Sequence, residues 1–237
     1  MPERHDCQVR YSKRAKRIRL KISAEDGVVA TLPRGTPVRM LRAFLDDQQD
    51  WIQRTLNQLE PQRQRLEQAR SRLPESLELL AINKNLRIQY RETLSTRTGL
   101  TETGDQLTLS GQVDNIDLMR KALGRYVRDQ ARTHLSHELD QLSQEYDLSY
   151  TGVTIRRQKT RWGSCSASGR INLNDKLLFL PRPLMQHVLL HELAHTRHMN
   201  HSQAFHRLLR SLDPDSRRHN QALQQGGQYV PLWLRWA

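Results

Sequence analysis

The N-terminal part of the chain alternates polar and apolar residues before it changes to a helical period. Residues 16–22 alternate in the manner of a half-buried strand. Gly27 favours a turn, and the apolar run 28–32 predicts the second strand of a hairpin. From Val38 onward apolar residues recur at helical spacing, which predicts a long helix. The Gln-, Arg- and Glu-rich run 61–72 either extends this helix or connects it to the next region.

The middle of the chain combines short strand-like runs with a second long helix. Residues 86–90 and 106–109 have the composition of strands and are separated by Gly, Thr and Asn. Helical spacing then returns over residues 115–146.

The C-terminal part begins with strands and continues with helices. Two strands are predicted near residues 153–158 and 170–174, with a loop-rich turn over residues 160–169 between them. Pro181 and Pro183 favour the first turn of a helix, and the run 184–198 predicts that helix.

These elements together predict an α+β fold. Three regions follow from them: a strand-rich and helical region over residues 1–72, connecting strands and a long helix over residues 73–150, and a third region over residues 151–237. A length of 237 residues suits this division as well as it suits one continuous domain.

The positive charge of the chain is unevenly distributed. The formal net charge is +13. Residues 1–72 carry 16 basic and 9 acidic side chains, residues 73–150 carry 9 and 12, and residues 151–237 carry 13 and 4. A positive field attracts nucleic acid, nucleotides or acidic protein surfaces without choosing among them, and it also serves solubility.

The sequence predicts a soluble cytoplasmic protein. No run approaches the roughly 18 apolar residues that a membrane span needs. The first 14 residues lack the apolar core of a signal peptide. The chain has two cysteines, Cys7 and Cys165, which are far apart and give no disulfide framework. The oligomeric state does not follow from these features.

A metal-binding pattern lies inside the predicted helix 184–198. His191, Glu192 and His195 form the arrangement H-E-x-x-H. Side chains at positions i and i+4 of a helix lie one above the other, so two imidazoles can converge on one ion at roughly 2.0–2.1 Å. Glu192 can then act as the base that activates a water molecule on the metal. The pattern predicts a catalytic Zn²⁺ site.

The third ligand of such a site must come from beyond the helix. His187 and His198 share its face, but at about 1.5 Å per residue the positions i, i+4 and i+7 span too great a distance for one ion. Asn200 tolerates the left-handed conformation that ends helices, and Ser202 is a suitable N-cap for a helix over residues 203–212.

His201 lies at the elbow between these two helices and is the favoured third ligand. Its offset from the first histidine equals the first-to-third ligand offset of the metzincin pattern. His206, inside the following helix, remains the main alternative.

With these residues assembled, the chain resembles the YgjP-like metal-dependent hydrolases, which are relatives of the SprT and Spartan zincin metallopeptidases. Three segments carry the resemblance. They are TLPRG at residues 31–35 with DWI at 50–52, RWGSCS at 161–166 with GRINLN at 169–174, and HELAH at 191–195 with NHS at 200–202 and Phe205.

The resemblance implies His191, His195 and His201 as zinc ligands and Glu192 as the catalytic acid/base. It also implies a zincin-like catalytic domain, with a strand beside the cleft, within residues 151–237. His206 departs from the family, which usually has Trp or Tyr at this position.

Arg161 and Trp162 are candidates for substrate binding, because a strand beside a zincin helix can pair with an extended peptide. The alternative is that Trp162 fills the core and Arg161 pairs with a carboxylate. Cys165, without a paired base in the sequence, is expected to be a packed thiol rather than a nucleophile.

The functional hypothesis is a zinc metallopeptidase that acts on a peptide or protein substrate. One alternative is a nucleotide phosphoanhydride hydrolase, similar to a UTP pyrophosphatase, on the same metal site. A second is a nucleic-acid-associated protein whose zinc is structural. Structural zinc has four protein ligands, so that reading requires His206 or Cys165 as the fourth.

Overall fold

The structure is a computed structural model and describes residues 7–237. The absence of a signal peptide, predicted from the first 14 residues, concerns in part residues 1–6, which lie outside the described part of the chain. Two compact units are present, Met1–Arg72 and Leu73–Ala237.

The first unit contains a three-stranded sheet and two helices. The hairpin predicted across Gly27 is confirmed, since the second and third strands pair antiparallel and Gly27 has a φ of 66°. The first strand, which the sequence did not predict, pairs parallel with the third. The helix predicted from Val38 is interrupted at Gln48. The elements are β1 (Cys7–Ser12), β2 (Arg19–Ser23), β3 (Gly27–Pro33), α1 (Val38–Asp47) and α2 (Gln49–Ser71).

The second unit begins with a four-stranded sheet followed by a long helix. Its strand order is β4-β5-β7-β6, with β5 and β7 parallel and the two outer pairs antiparallel. The sequence predicted the two central strands and the helix, and it missed the two short outer strands. The elements are β4 (Ser76–Leu79), β5 (Lys84–Glu92), β6 (Gly99–Thr103), β7 (Gln106–Gly111) and α3 (Ile116–Glu145).

A smaller sheet and three helices complete the second unit. In this sheet β10 lies in the centre, parallel to β8 and antiparallel to β9, so β9 is an edge strand. Strand β9 lies within the segment predicted as a loop-rich turn over residues 160–169. The elements are β8 (Gly152–Arg156), β9 (Gly163–Cys165), β10 (Arg170–Asn174), α4 (Arg182–Arg197), α5 (Gln203–Leu212) and α6 (Ser216–Leu223).

One hydrophobic core joins the sheets and helices of the second unit. It includes fully buried residues from β7, α3, α4 and α5. Examples are Leu107, Leu135, Leu189 and Phe205, each 0% exposed. Burial of such a side chain stabilises the fold by about 1.5–3 kcal/mol before entropy is counted. Helix α4 therefore has its apolar face fixed by the core, which sets the direction of its polar face.

A buried ion pair joins the residue that follows β8 to the residue that follows β10. Arg157 Nη2 lies 2.7 Å from Oδ2 of Asp175, which is fully buried. The same guanidinium donates to the carbonyl oxygens of Gly124 in α3, at 2.9 Å, and of Ala237, at 2.8 Å. One side chain thus joins three segments of the unit.

The fold is α+β, as predicted. Over the described residues, 7–237, no helix combines the length and the apolar character that crossing a membrane requires.

Candidate metal centre

Helix α4 presents the H-E-x-x-H residues on one face. The helix begins after Pro181 with a further proline in its first turn, where a missing N–H costs nothing. His191 and His195 are one turn apart, and their ring centroids are separated by 4.9 Å. The spacing in sequence therefore places the two imidazoles side by side on one face of the helix, as the pattern predicts, with their ring planes 78° apart.

The chain then turns back and brings a third histidine to this pair. Helix α4 ends at Arg197, and the residue after it, His198, is extended. Asn200 does not have the left-handed conformation predicted for it, because the non-glycine residues with positive φ in the described chain are Asn83 and Asp147. The extended backbone of His198, rather than a left-handed Asn200, is what ends the helix and redirects the chain.

His201 lies at this elbow, beside the first ligand candidate. Its Nε2 is 3.2 Å from Nε2 of His191. Ser202 accepts the N–H of Phe205 as the N-cap of α5, as predicted. One nitrogen from each of His191, His195 and His201 lies within 4.8 Å of the others. The elbow thus places three imidazoles in one group.

Phe205 forms the floor of this histidine group. It is 0% exposed. Its ring centroid lies 4.5–5.0 Å from those of all three histidines. The imidazoles are therefore packed against an apolar surface that limits their rotation.

The protonation of the histidines suits metal binding. Burial, followed by the neighbouring imidazoles of His195 and His201, lowers the pKa of His191 to about 3. The pKa of His195 is also lowered, chiefly by burial. His195 Nδ1–H donates to the carbonyl oxygen of His198 at 3.0 Å, which leaves Nε2 as the lone-pair donor. Neutral imidazoles with a free lone pair are the form that binds metal.

Glu192 is a buried carboxylate beside the histidine group. It is 5% exposed, and burial raises its pKa to about 7 while Arg161 lowers it. Its Oε2 is buried and has no hydrogen-bond partner among the described residues. A buried carboxylate oxygen without a hydrogen-bond partner costs free energy. Oε2 is therefore suited to accept a hydrogen bond from a bound water molecule or substrate. Three imidazole nitrogens beside this carboxylate fit a borderline divalent cation such as zinc.

The site opens into a cavity of about 330 Å³ between α4 and β9. Strand β9 approaches α4 closely because residue 163 is glycine: a Cβ there would lie 2.7 Å from Glu192 Oε1. Residues from both elements form the walls, among them Arg161, Trp162, Gly163, His187, His191 and Glu192.

The other histidines near the site lie outside the group of three. His198 contributes its backbone carbonyl, and His206 stacks on His201 with 6.2 Å between ring centroids. His187 hydrogen-bonds through Nδ1 to Asp213 Oδ2 at 2.6 Å. His219 reaches the same oxygen at 2.9 Å.

The Asp213 network was missed by the sequence reasoning. Its members lie in three different segments at irregular spacing, so no local pattern indicates them. The two contacts of Asp213 Oδ2 are of hydrogen-bond length, and they connect α4 to α6.

Arg161 and Trp162 both line the cavity. Trp162 is partly buried and packs closely against Gly226 and the core. Arg161 is exposed and makes no ion pair within the described part of the chain, and its positive charge lowers the pKa of Glu192 against the effect of burial. Cys165 is partly buried, and burial raises the pKa of its thiol, contrary to what a nucleophile needs.

The sequence profile of a family described as YgjP-like, metallopeptidase domain, matches residues 16–226. A solved structure described as the metallopeptidase zymogen of Pyrococcus abyssi abylysin is similar at 24% sequence identity and a TM-score of 0.36. The match covers 39% of this chain and 94% of that one. No curated protein matched.

Proposed function

Because the chain belongs to the YgjP-like family of metallopeptidase domains, we propose that it is a zinc-dependent peptidase with a zincin-like site. His191, His195 and His201 would hold the ion, and Glu192 would be the general base. One observation carries the proposal: three imidazoles converge beside a buried carboxylate oxygen that has no partner among the described residues.

The ion would supply the electrophilic part of the chemistry. When bound, zinc lowers the pKa of a water molecule toward neutrality and polarises a carbonyl oxygen. Three protein ligands leave one position for water or substrate, which is the arrangement of catalytic rather than structural zinc.

Glu192 would carry the proton. Its carboxylate is buried at the wall of the cavity that His191 also lines, and this burial raises its pKa to about 7. A group with this pKa can accept a proton from the attacking water and return it to the leaving amine near neutral pH. Oε2, which has no partner among the described residues, is the atom best suited to this transfer.

Strand β9 supports a polypeptide as the substrate. It pairs with β10 on one side, and among the described strands none pairs with its other edge. An extended peptide can add to such an edge through main-chain hydrogen bonds. Because Gly163 of β9 packs against Glu192, a peptide bound there would have its backbone beside the catalytic carboxylate.

The other hypotheses have less support. A phosphoanhydride hydrolase acting on nucleotides needs carboxylates to hold Mg²⁺ with the phosphates, and Glu192 is the one acidic residue among those that line the described cavity. A structural zinc needs a fourth ligand, but neither His206 nor Cys165 belongs to the described histidine group.

Cleavage assays with two substrate classes test the proposal. Wild-type protein loaded with zinc should cleave unfolded proteins, and Glu192→Gln should lower the rate by about 10²–10⁴ while zinc content stays at about one ion per chain. The positive charge over residues 151–237 predicts that DNA increases cleavage of protein bound to it, and that salt removes this increase.

Nucleoside triphosphates are the decisive comparison. Release of phosphate or pyrophosphate that depends on Glu192, without proteolysis under any condition, would refute the peptidase and favour the nucleotide hydrolase. Loss of zinc from Glu192→Gln would show that this residue is a ligand.

Gly163→Ala is expected to impair catalysis without removing the metal. The added Cβ would lie 2.7 Å from Glu192 Oε1, so the carboxylate must move. A displacement of about 1 Å from the productive position can cost about 100-fold in rate. Turnover of a peptide and zinc content, measured together, check this expectation.

The matched control is Gly152→Ala in β8, since a Cβ at Gly152 would make only ordinary contacts of 3.5 Å or more with the Arg170 side chain and the residue does not line the cavity. It should keep the wild-type rate. Full activity of Gly163→Ala would mean that Glu192 is not confined by β9.

A further inference from the structure

A second cavity, of about 390 Å³, lies beside the one that His191 and Glu192 line. The two share four lining residues, which are Arg161, Trp162, Leu223 and Gln224. A substrate that lies along β9 and past Glu192 would therefore extend from one cavity into the other. Neither Glu192 nor any residue of the histidine group lines the second cavity, so it is separate from the metal centre.

The lining of this second cavity is strongly basic. It includes Lys159, Arg161, Lys176 and Arg235 and contains no Asp or Glu. The first three make no ion pair with a carboxylate in the described part of the chain. Lys176 is affected by this surplus: its pKa is lowered by burial and, more weakly, by Arg157, Arg235 and Lys159, against the opposing effect of Asp175. Positive charge is concentrated here without a matching anion in the lining.

The cavity is preformed by its backbone. Asn174 Nδ2 donates to the carbonyl oxygens of Gln158, at 2.9 Å, and of Arg161, at 2.7 Å. Asn174 is 2% exposed, so both bonds are protected from water. They fix the segment that carries Lys159 and Arg161. On the opposite side, Val230 and Leu232 provide an apolar wall.

We propose that this cavity is a specificity subsite that binds the carboxylate side chain of an acidic residue close to the scissile bond of a polypeptide substrate. The inference rests on the proposed peptidase function and names its substrate class. The aliphatic part of a Glu side chain would pack on the apolar wall. Its carboxylate would accept hydrogen bonds from Lys159, Arg161 and Lys176. The same pattern would disfavour a basic side chain by repulsion.

A polypeptide fits the cavity better than a nucleotide or a nucleic acid. The lining lacks the carboxylates that would hold the Mg²⁺ of a triphosphate. The cations are gathered in one concave site next to the edge of β9, and they do not form a stripe that could follow a phosphate backbone.

Matched peptides test the proposal. Fluorogenic peptides are prepared in sets of three that carry Glu, Gln or Lys at one position near the scissile bond, and each position is varied in turn. The kcat/KM of zinc-loaded wild-type protein is measured for every peptide. At one position Glu should exceed Gln in kcat/KM by about tenfold or more, because hydrogen bonds to a charged group are the stronger class, and Lys should be the poorest.

Charge-removing variants locate the effect. Lys159→Gln should reduce the Glu-to-Gln ratio several-fold. Arg210→Gln, which removes one positive charge from an exposed position of α5 outside both cavity linings, should leave the ratio as in wild type. An equal decrease in both variants would mean that net charge, rather than this cavity, sets the preference, and would overturn the proposal.

Binding without cleavage separates this inference from the peptidase proposal. Glu192→Gln protein is titrated calorimetrically with the Glu and Gln peptides, and with a nucleoside triphosphate. Tighter binding of the Glu peptide that depends on Lys159 supports the subsite even if no peptide is cleaved. Cleavage with no acidic preference at any position refutes the subsite and leaves the peptidase standing. Lys159-dependent binding of the triphosphate that is tighter than that of the Glu peptide would overturn the assignment to polypeptides.

Discussion

His201→Ala is expected to weaken zinc binding by more than about 100-fold. The reason is geometric, since His201 Nε2 lies 3.2 Å from Nε2 of His191 and is the one donor of the group that helix α4 does not carry. Residues that only orient metal ligands are worth about 10- to 100-fold in affinity, so a ligand should be worth more. The measurement is competition for zinc with a chelator of known affinity, with His191→Ala as the positive comparison.

His198→Ala is the matched control for this prediction. The residue is three positions away, but its side chain is outside the histidine group, and its contribution to His195 is a backbone carbonyl that alanine retains. Zinc affinity should stay within about tenfold of wild type, because the outer-shell hydrogen bond is kept. Strong loss of zinc in His198→Ala, with none in His201→Ala, would refute the proposed ligand set.

Arg157→Ala is expected to lower the free energy of unfolding by about 3–5 kcal/mol. Asp175 is fully buried and loses its principal cation. The remaining one, Arg128, lies 3.8 Å away and is 40% exposed. The variant also removes the donors to the carbonyl oxygens of Gly124 and Ala237. Urea denaturation followed by circular dichroism measures the loss.

Arg156→Ala removes the same charge one residue earlier, at an exposed position of β8. Substitutions at such positions usually change stability by less than about 0.5 kcal/mol. If Arg157→Ala and Arg156→Ala were equally stable, Arg128 or water would be balancing the buried charge of Asp175. The Arg157–Asp175 ion pair would then not be needed for the fold.

The sequence predicted the elements whose period is long and regular. The hairpin of β2 and β3, helix α3 and helix α5 follow directly from alternation, helical spacing and the Ser202 N-cap. Four strands were missed: β1, and the short strands β4, β6 and β9, whose three to five residues carry little period of their own. What defines such a strand is its partner in space.

The histidine group could be predicted because local sequence spacing indicates its members. The neighbouring cavity could not, because its lining residues come from segments far apart in sequence. Two members have a fixed helical spacing, and the third had to follow the helix end, although the chain turns through an extended His198 rather than a left-handed Asn200. The basic cavity combines residues of 158–176 with residues of 223–235. No local pattern connects these segments, and only tertiary packing brings them together.

Phe205 gives the histidine group a property that its ligand atoms alone do not have. Its ring is fully enclosed by the core and contacts all three imidazoles. The arrangement of the donors is therefore determined when the core forms, and the ion need not contribute to ordering them. Chelation should therefore leave a folded apoprotein with a correctly shaped site, whose circular dichroism spectrum matches that of the zinc-loaded protein, while its melting temperature falls by the amount that zinc binding to the folded state contributed.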